Sequence, residues 1–398
     1  MKILLPPNDM NKIIDIIISL YQLTTRVIFA KKAKVLFYYP QHFNRTAQAT
    51  NPFFDRLLET CDRHGISYKL IEEPDWGTDK PRNDKAIKGD ALFMLILVLR
   101  KVVGLFSKKD FYKNEVVVAR LLNLFTLGRL RYRRYITISG SMLHLFAALK
   151  DDCEVFDMQH GILYKQHPTF FDESEHLRPQ YYQRNLHWLM WGRGYDRCFC
   201  RGDEEVLAGR THVVGYPIAP AKVDVEEMSD KIVLFSLQFT HDYQQHELEE
   251  HKKILEETLR QLQNCGVKVL LKHHPRYNNA IPIDDLIESF PFCRITKLSM
   301  QNLLTQTMLQ VTFNSTTSFE YAEYGIPSFF IDPEARLPQG DLFYSEYHYP
   351  LYKGMFISDV VSRLKLHDEA KEDATTVRAW YSEFYSDFNE QAFLKLLS

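Results

Sequence analysis

The 398-residue chain has no C-x2-C pair among its six cysteines, Cys61, Cys153, Cys198, Cys200, Cys265 and Cys293, and so lacks the usual thiolate zinc spacing. A chain of this size needs no disulfide staples, and reduced thiols in the cytoplasm are expected. An excess of one charge is missing as well. Forty-nine Lys and Arg stand against 51 Asp and Glu, a formal net charge of -2, so no global field draws the protein to nucleic acid and any anion site must be local. Repeats and low-complexity tracts are absent. So is the D-x-D pair that clamps a metal in many sugar transferases.

Long apolar runs are also lacking. The N-terminal MKILLPPNDMNKIIDIIISLYQL is interrupted by Asp15 and has no small-residue cleavage site after it, which argues against a signal peptide. The run ALFMLILVL at 91–99 stops at Arg100-Lys101, well short of the roughly 20 residues a bilayer span requires. Residues 91–134 mix apolar runs with Arg100, Lys101, Lys108, Lys109, Lys113, Arg129, Arg131, Arg133 and Arg134. Two readings stay open there: buried helices with solvated basic ends, and a surface resting on the inner, anionic face of a membrane.

What is present is the makeup of a folded globular protein, 45% hydrophobic with 27 Phe and 22 Tyr, at a length that suggests two domains. The segment AKVLFYYP (33–40), a helical pattern ending at Gly65, and ISYKLIEEP form a β-α-β opening. Helical character over 83–126 follows, then strands at 135–139, 153–158, 187–192 and 211–217. The polar, Pro-containing stretch near 220 reads as a domain boundary. Beyond it KIVLFSLQF, a long helix closed by Gly266, VKVLLK, CRIT, LQVTF and IPSFFID restart the alternation. Such alternation argues parallel sheets covered by helices. The expected domains are 1–220, 221–375, and a helical tail, 376–398, packing back on the first.

In open α/β sheets ligands sit outside the carboxyl ends of strands, so the residues just after predicted strands come first. Lys272-His273-His274-Pro275-Arg276 would form a compact cationic mouth for a phosphate, or a basic surface turn. Asn314-Ser315-Thr316-Thr317 leads from LQVTF into a helix, where hydroxyls and free N–H groups suit phosphate or simply cap the helix. Glu320, one turn inside, either meets ribose hydroxyls or closes a capping box with Thr317. In the first half, Asp157-Met158-Gln159-His160-Gly161 follows CEVFDM. His160 is a candidate general base on an acceptor hydroxyl, or a structural or substrate-orienting histidine, and Asp157 is the substitute base. Gln159, Gly161, Lys165 and His167 are candidates for contacts beside it.

The ordered set of QHG in the first half, then K-x-HP, N-S-T-T, Glu and G-I-P in the second, resembles bacterial GT-B glycosyltransferases that build capsule and lipopolysaccharide. Capsular polysaccharide biosynthesis proteins, Kdo and sialic acid transferases and CDP-glycerol glycerophosphotransferases are among them. The resemblance spans roughly 155–332, and the first 130 residues carry no such signature. It implies an α/β GT-B fold of two Rossmann-like domains facing across a cleft, and a cytoplasmic, metal-independent transferase. Its donor would be a CMP-, CDP- or UDP-linked nucleotide sugar, taken as co-substrate with no cofactor, and its acceptor a glycan or lipid-linked glycan. It implies phosphate contacts for Lys272, His274, Arg276, Asn314, Ser315, Thr316 and Thr317, ribose contact for Glu320, a cleft-facing Gln238, and His160 near the acceptor. The D/E-D/E-G acid motif of polysialyltransferases is missing. A nucleotide-sugar epimerase of the same architecture, a glycerophosphotransferase and a non-catalytic nucleotide-sugar-binding module stay open beside this reading.

Overall fold

The computed structural model describes residues 10–78, 80–107, 110–183, 185–218, 232–240, 243–274, 277 and 281–398. They fall into two compact units, one within Met1–Ala219 plus Ser386–Ser398 and one within Pro220–Tyr385. The boundary expected at 220–221 lies outside the described residues.

The first unit is built on β1 (Val35–Pro40), β2 (Tyr68–Glu73), β3 (Ile87–Lys88), β4 (Arg134–Ile138), β5 (Glu154–Met158), β6 (Leu186–Met190) and β7 (Thr211–Val213). All pair in parallel, in the order β3-β2-β1-β4-β5-β6-β7. Its helices are α1 (Met10–Gln22), α2 (Pro52–Arg63), α3 (Asp90–Phe106), α4 (Phe111–Phe125), α5 (Leu143–Leu149), α6 (Arg193–Cys200) and α7 (Glu204–Leu207). Crossover helices cover both faces of a parallel sheet, which is why β1 and β4 are buried at every position. Local chemistry sets the helix ends. Asn51 Oδ1 accepts from Phe53 N and Pro52 takes the first turn of α2, while Gly65 closes it at φ 62°. The helical pattern read over 83–126 contains β3 and splits in two, because Asp110 starts α4 afresh by accepting from Lys113 N.

The second unit holds β8 (Ile232–Ser236), β9 (Lys268–Lys272), β10 (Cys293–Ile295), β11 (Thr307–Thr312) and β12 (Ser328–Phe330), parallel in the order β10-β9-β8-β11-β12. Around them lie α8 (Gln245–Leu262), α9 (Asp284–Ser289), α10 (Met300–Leu304), α11 (Thr317–Glu323), α12 (Leu342–Ser345), α13 (Ile357–Leu364) and α14 (His367–Phe384). Strand alternation splits β8 between two cores: Val233 and Phe235 meet Leu255 and Leu259 of α8, and Ile232 and Leu234 meet Leu303 and Tyr321.

The tail read as one helix is two. Helix α14 stays in the second unit through Phe384, and α15 (Glu390–Leu397) belongs to the first. The chain between them runs against Val214–Tyr216: Tyr216 N donates to Ser386 O at 2.8 Å and Asn389 N to Val214 O at 2.8 Å. Ser386 Oγ donates to Trp191 O, and Arg134 donates to the carbonyls of Leu397 and Ser398 while pairing with Glu154. Arg134 is therefore a buried anchor for the C-terminus and not a membrane-facing cation. Gly215 has φ 82° and a Cβ there would collide with the Asp387 backbone, whereas Gly209, φ 71°, faces open space. Gly215→Ala should cost roughly 3 kcal/mol, from left-handed strain plus the clash, and Gly209→Ala about 1 kcal/mol. Urea denaturation compares them, and equal losses would contradict the close apposition of the tail.

Candidate functional sites at the two switch points

Each sheet is wound outward in both directions from its first strand, giving the relative order 3-2-1-4-5 in both units, extended by β6 and β7 in the first. Crossovers therefore leave in opposite directions at β1/β4 and at β8/β11, and the carboxyl ends of those strand pairs are where ligands enter such sheets.

At the first switch point, Gln41 and His42 follow β1, Ser139 to Met142 follow β4, and Gln159 to Gly161 follow neighbouring β5. Ser139, Gly140 and Met142 have φ of 63°, 65° and 53°, a left-handed cluster that includes two side-chain-bearing residues. Such strain, of order 1–3 kcal/mol per residue, persists where surrounding contacts over-determine it. Here Gly140 N donates to both oxygens of Asp157 (3.0 and 3.1 Å), and Ser141 Oγ donates to Glu73 (2.6 Å). Burial pushes Asp157 up to about 6, against the opposing pull of the Gly140 N–H and the Thr137 hydroxyl. Burial also raises Glu73.

His160 keeps an accessible edge, but the protein crowded around it and the nearby Arg45, His167 and His42 lower its pKa to about 4. It is an uncharged acceptor at neutral pH and a weaker base than an unperturbed imidazole. Phe43 meets it edge-on at 5.6 Å and lies 4.6 Å from the His42 ring, whose Nδ1 hydrogen-bonds Asp75 Oδ2 at 2.7 Å. Asp157, His160, Gly161, His167 and Trp188 line a cavity of ≈ 60 Å³, enough for a few water molecules.

Two expected acceptor contacts serve the loop instead. Gln159 is buried, donates to Gly161 O and accepts from Trp191 N, which holds the QHG turn. Lys165 is 1% exposed, pairs with Asp203 at 2.7 Å and lies over the Phe171 ring, so it is a structural ion pair with no reach to an acceptor. Beside Gly161 the space is open. Sequence reading passed over His42, Asp75, Glu73 and the Ser139–Met142 loop. The signal existed, since Glu73 closes β2, His42 and Asp75 lie two residues past the ends of β1 and β2, and Ser139 follows β4 directly.

At the second switch point, Gln238 follows β8 and Asn314–Thr317 follow β11, with Lys272 closing adjacent β9 and His273 and His274 following it. The ladder places Ser236 opposite both Lys272 and Thr312, which brings the two sequence motifs to neighbouring strand ends with Gln238 between them. Gln238 Oε1 accepts from Asn314 N (2.9 Å) and Thr312 Oγ1, and Asn314 Nδ2 donates to Gln339 O. Ser315 and Thr317 share a hydroxyl hydrogen bond of 2.8 Å, and Gln310 Nε2 donates to Thr317 Oγ1. Thr316 is the exposed hydroxyl of the three. The capping box does not form: Thr317 is already helical, and Glu320 sits deeper in the first turn, its pKa raised by the protein around it. Helix α11 has seven residues, so its dipole is short, and Phe319, stacked on Trp380 at 4.7 Å, holds it in place.

The expected cationic mouth is narrower than the sequence suggested. Lys272 Nζ donates to Leu298 O at 2.6 Å, and His273 stacks on Tyr277 at 3.8 Å with its pKa lowered by burial, so it is neutral at pH 7. His274, half-buried, accepts from Tyr277 N through its carbonyl. Pro275 and Arg276 lie outside the described residues.

No protein-family model matches the chain, and no curated protein matches it in sequence. Solved structures match its fold. The UDP-GlcNAc 2-epimerase from Neisseria meningitidis, bound to UDP-GlcNAc, has a TM-score of 0.50 at 10% identity, covering 91% of this chain and 98% of that one. The wall teichoic acid polymerase TagF (TM-score 0.46, 15% identity, 98% and 96% covered) and the calicheamicin glycosyltransferase CalG4 (0.48, 12%, 92% and 98%) are similar too. At these identities the likeness concerns architecture alone. Together with the two doubly wound sheets it defines an α/β fold of the GT-B class, with two Rossmann-like units.

The buried carboxyl of Asp157 has a direct thermodynamic consequence. Its folded-state pKa lies above its ordinary value of 3.8, so the protonated form favours folding below pH 3.8 and that advantage is lost as pH rises through about 6. The displacement corresponds to about 3 kcal/mol. Asp157→Asn should therefore gain about that much stability relative to wild type between pH 3.5 and pH 7.5. Urea titrations of both proteins at the two pH values measure it, and a constant difference would refute the burial of a charge there.

Proposed function

We propose that the protein is a metal-independent glycosyltransferase that moves a sugar from a nucleotide-sugar donor to a growing cell-surface glycan of the capsule or lipopolysaccharide O-antigen type. The observation that carries this reading is the convergence of Lys272 and His274, Gln238, and Asn314–Thr317 on three adjacent strand ends of the second sheet. In this role N–H groups, hydroxyls and basic side chains receive the donor phosphates, with Arg276 beside them in sequence and Glu320 on the ribose. A base of the first unit, His160 or Asp157, takes the proton of the acceptor hydroxyl. The acceptor oxygen bonds to the anomeric carbon as the bond from that carbon to the phosphate oxygen breaks, and the nucleotide leaves with the electron pair. Stabilising that negative charge is the main catalytic task of the second switch point. Gly161, with open space beside it, suits close approach of the acceptor. A lipid-linked acceptor would place the enzyme at the inner face of the membrane.

A second reading has one observation in its favour. Glu73 and Asp157, with Asp75, put carboxyl groups on the same edge of the first sheet, which suits acid and base chemistry on a sugar ring as an epimerase requires. Product analysis separates the possibilities: a lengthened acceptor supports sugar transfer, a 2-epimer supports the epimerase, transferred glycerol phosphate a glycerophosphotransferase, and binding without turnover of any donor a non-catalytic module.

Two expectations follow. His274→Ala and Gln238→Ala should each raise the Kd of the cognate nucleotide about tenfold in calorimetry, the loss of a hydrogen bond to a charged group or of the loop that presents it. Unchanged affinity in both would reject the phosphate site. The acid limb of kcat/KM should fall near pH 6 if Asp157 is the base and near pH 4 if His160 is. A limb that His160→Ala and Asp157→Asn both leave in place would exclude the two.

A further inference from the structure

Helix α1 is amphipathic in the opposite sense to a core helix. Its polar residues face the fold: Ser19, fully buried, donates to Lys88 O and accepts from Ala91 N, Gln22 Oε1 accepts from Lys88 N, and Asp15 pairs with Lys88. Most of its described apolar residues are exposed, with Ile16 and Ile18 half-buried. Ile13, Ile17, Leu20 and Tyr21 recur at helical spacing and are all exposed, Ile17 by 62%. A helix that spends its hydrogen-bonding side chains on docking and leaves isoleucines in solvent has an unmet apolar face.

Helix α3 packs against α1 and α4 packs against α3, and both continue the pattern. Leu105 and Phe106 of α3 are exposed, Phe106 by 88%, and so are Leu124 and Phe125 of α4, Leu124 by 72%, with Phe29 following α1 at 73%. This answers half of the question left open by the sequence. The 91–134 segment does bury one side, through Leu92, Ile96, Leu99, Val118 and Leu122, but it also leaves large apolar side chains uncovered, and α1 joins it.

Charge selects the occupant. Arg26, Lys101, Arg120, Arg129 and Arg131 are exposed in and beside these helices. Between Asp90 and Arg134 the only exposed carboxylate among the described residues is Asp110, which pairs with Lys113, while Glu115 is buried against Arg100. Lys32 has its pKa lowered by partial burial and by Lys150, Arg129 and Arg131, so these cations form one cluster. Apolar side chains flanked by uncompensated cations match the interface of an anionic bilayer, where acyl chains take the first and lipid phosphates the second. No described helix is long and apolar enough to cross a membrane, so the contact is one of lying on the surface.

We infer that α1, α3 and α4 form a docking surface for an anionic lipid bilayer, with Ile17, Leu20, Leu105, Phe106 and Leu124 entering the acyl boundary and Arg120, Arg129 and Arg131 meeting lipid phosphates. The inference stands independently of the sugar-transfer reading. The test is co-sedimentation of the full chain with vesicles of phosphatidylcholine and phosphatidylglycerol, against phosphatidylcholine alone, in about 0.1 M salt. Binding to the anionic vesicles should exceed that to neutral ones about tenfold, and fall about tenfold in an Ile17→Glu/Phe106→Glu variant. That variant alters only exposed positions, and its circular dichroism and Tm should match wild type. An Arg129→Glu/Arg131→Glu variant should lose the preference for anionic lipid. Absence of binding to anionic vesicles would overturn the inference, as would unchanged binding in the glutamate variant. So would a dimer, seen by sedimentation velocity without vesicle binding, that the same variant dissociates, because the face would then belong to a second copy of the chain.

Discussion

A parallel sheet that grows outward in both directions from its first strand must send successive crossovers to opposite sides, and at the strand where direction reverses no connection covers the carboxyl end. Backbone N–H groups and loop side chains there have only a ligand or solvent to face. Both units of this chain are wound this way, and the candidate site residues collect at β1/β4 and β8/β11. The left-handed residues Ser139, Gly140 and Met142 sit at one reversal, and the Gln238–Asn314 hydrogen bond spans the other.

Many polar residues at these strand ends hold the site and leave few groups free to act. Gln159 fastens the QHG turn, Lys165 and Asp203 fasten the loop after it, Gln310 and Thr317 fix the start of α11, and Phe319 pins that helix to Trp380. A buried polar group without partners is costly, so a loop carrying several must satisfy them internally before it can present any to a ligand. That division of labour leaves His160, Thr316, Glu320 and the open space beside Gly161 among the accessible features. It also sets the electrostatics. The same burial that holds His160 uncharged keeps a proton on Asp157 to higher pH, so two neighbouring residues in sequence arrive at opposite displacements.

Element types were legible because burial on both faces of a sheet writes continuous apolar runs, as in VLFYY of β1 and IVLF of β8, and because Gly65 and Gly266 mark helix ends where φ is positive. The α1 helix was not legible as a surface helix, since an apolar face looks the same in sequence whether it meets a core or solvent. The tail misled for a related reason: its helical periodicity runs almost unbroken through 384–390, and only the hydrogen bonds of Ser386 and Asn389 to the strand end near Gly215 interrupt it.

The amino-acid sequence by itself determined the α/β alternation and the polar segments that follow strands, including Asp157–Gly161, Lys272–His274 and Asn314–Thr317, because these depend on periodicity and local turn chemistry. Tertiary structure decided which of those residues face outward and which are consumed internally. Lys165 and Asp203 lie 38 positions apart and Gln238 and Asn314 lie 76 apart. His42 pairs with Asp75 across 33 residues. Partners that distant meet only through strand order, and strand order is a property of the folded sheet that no local pattern encodes.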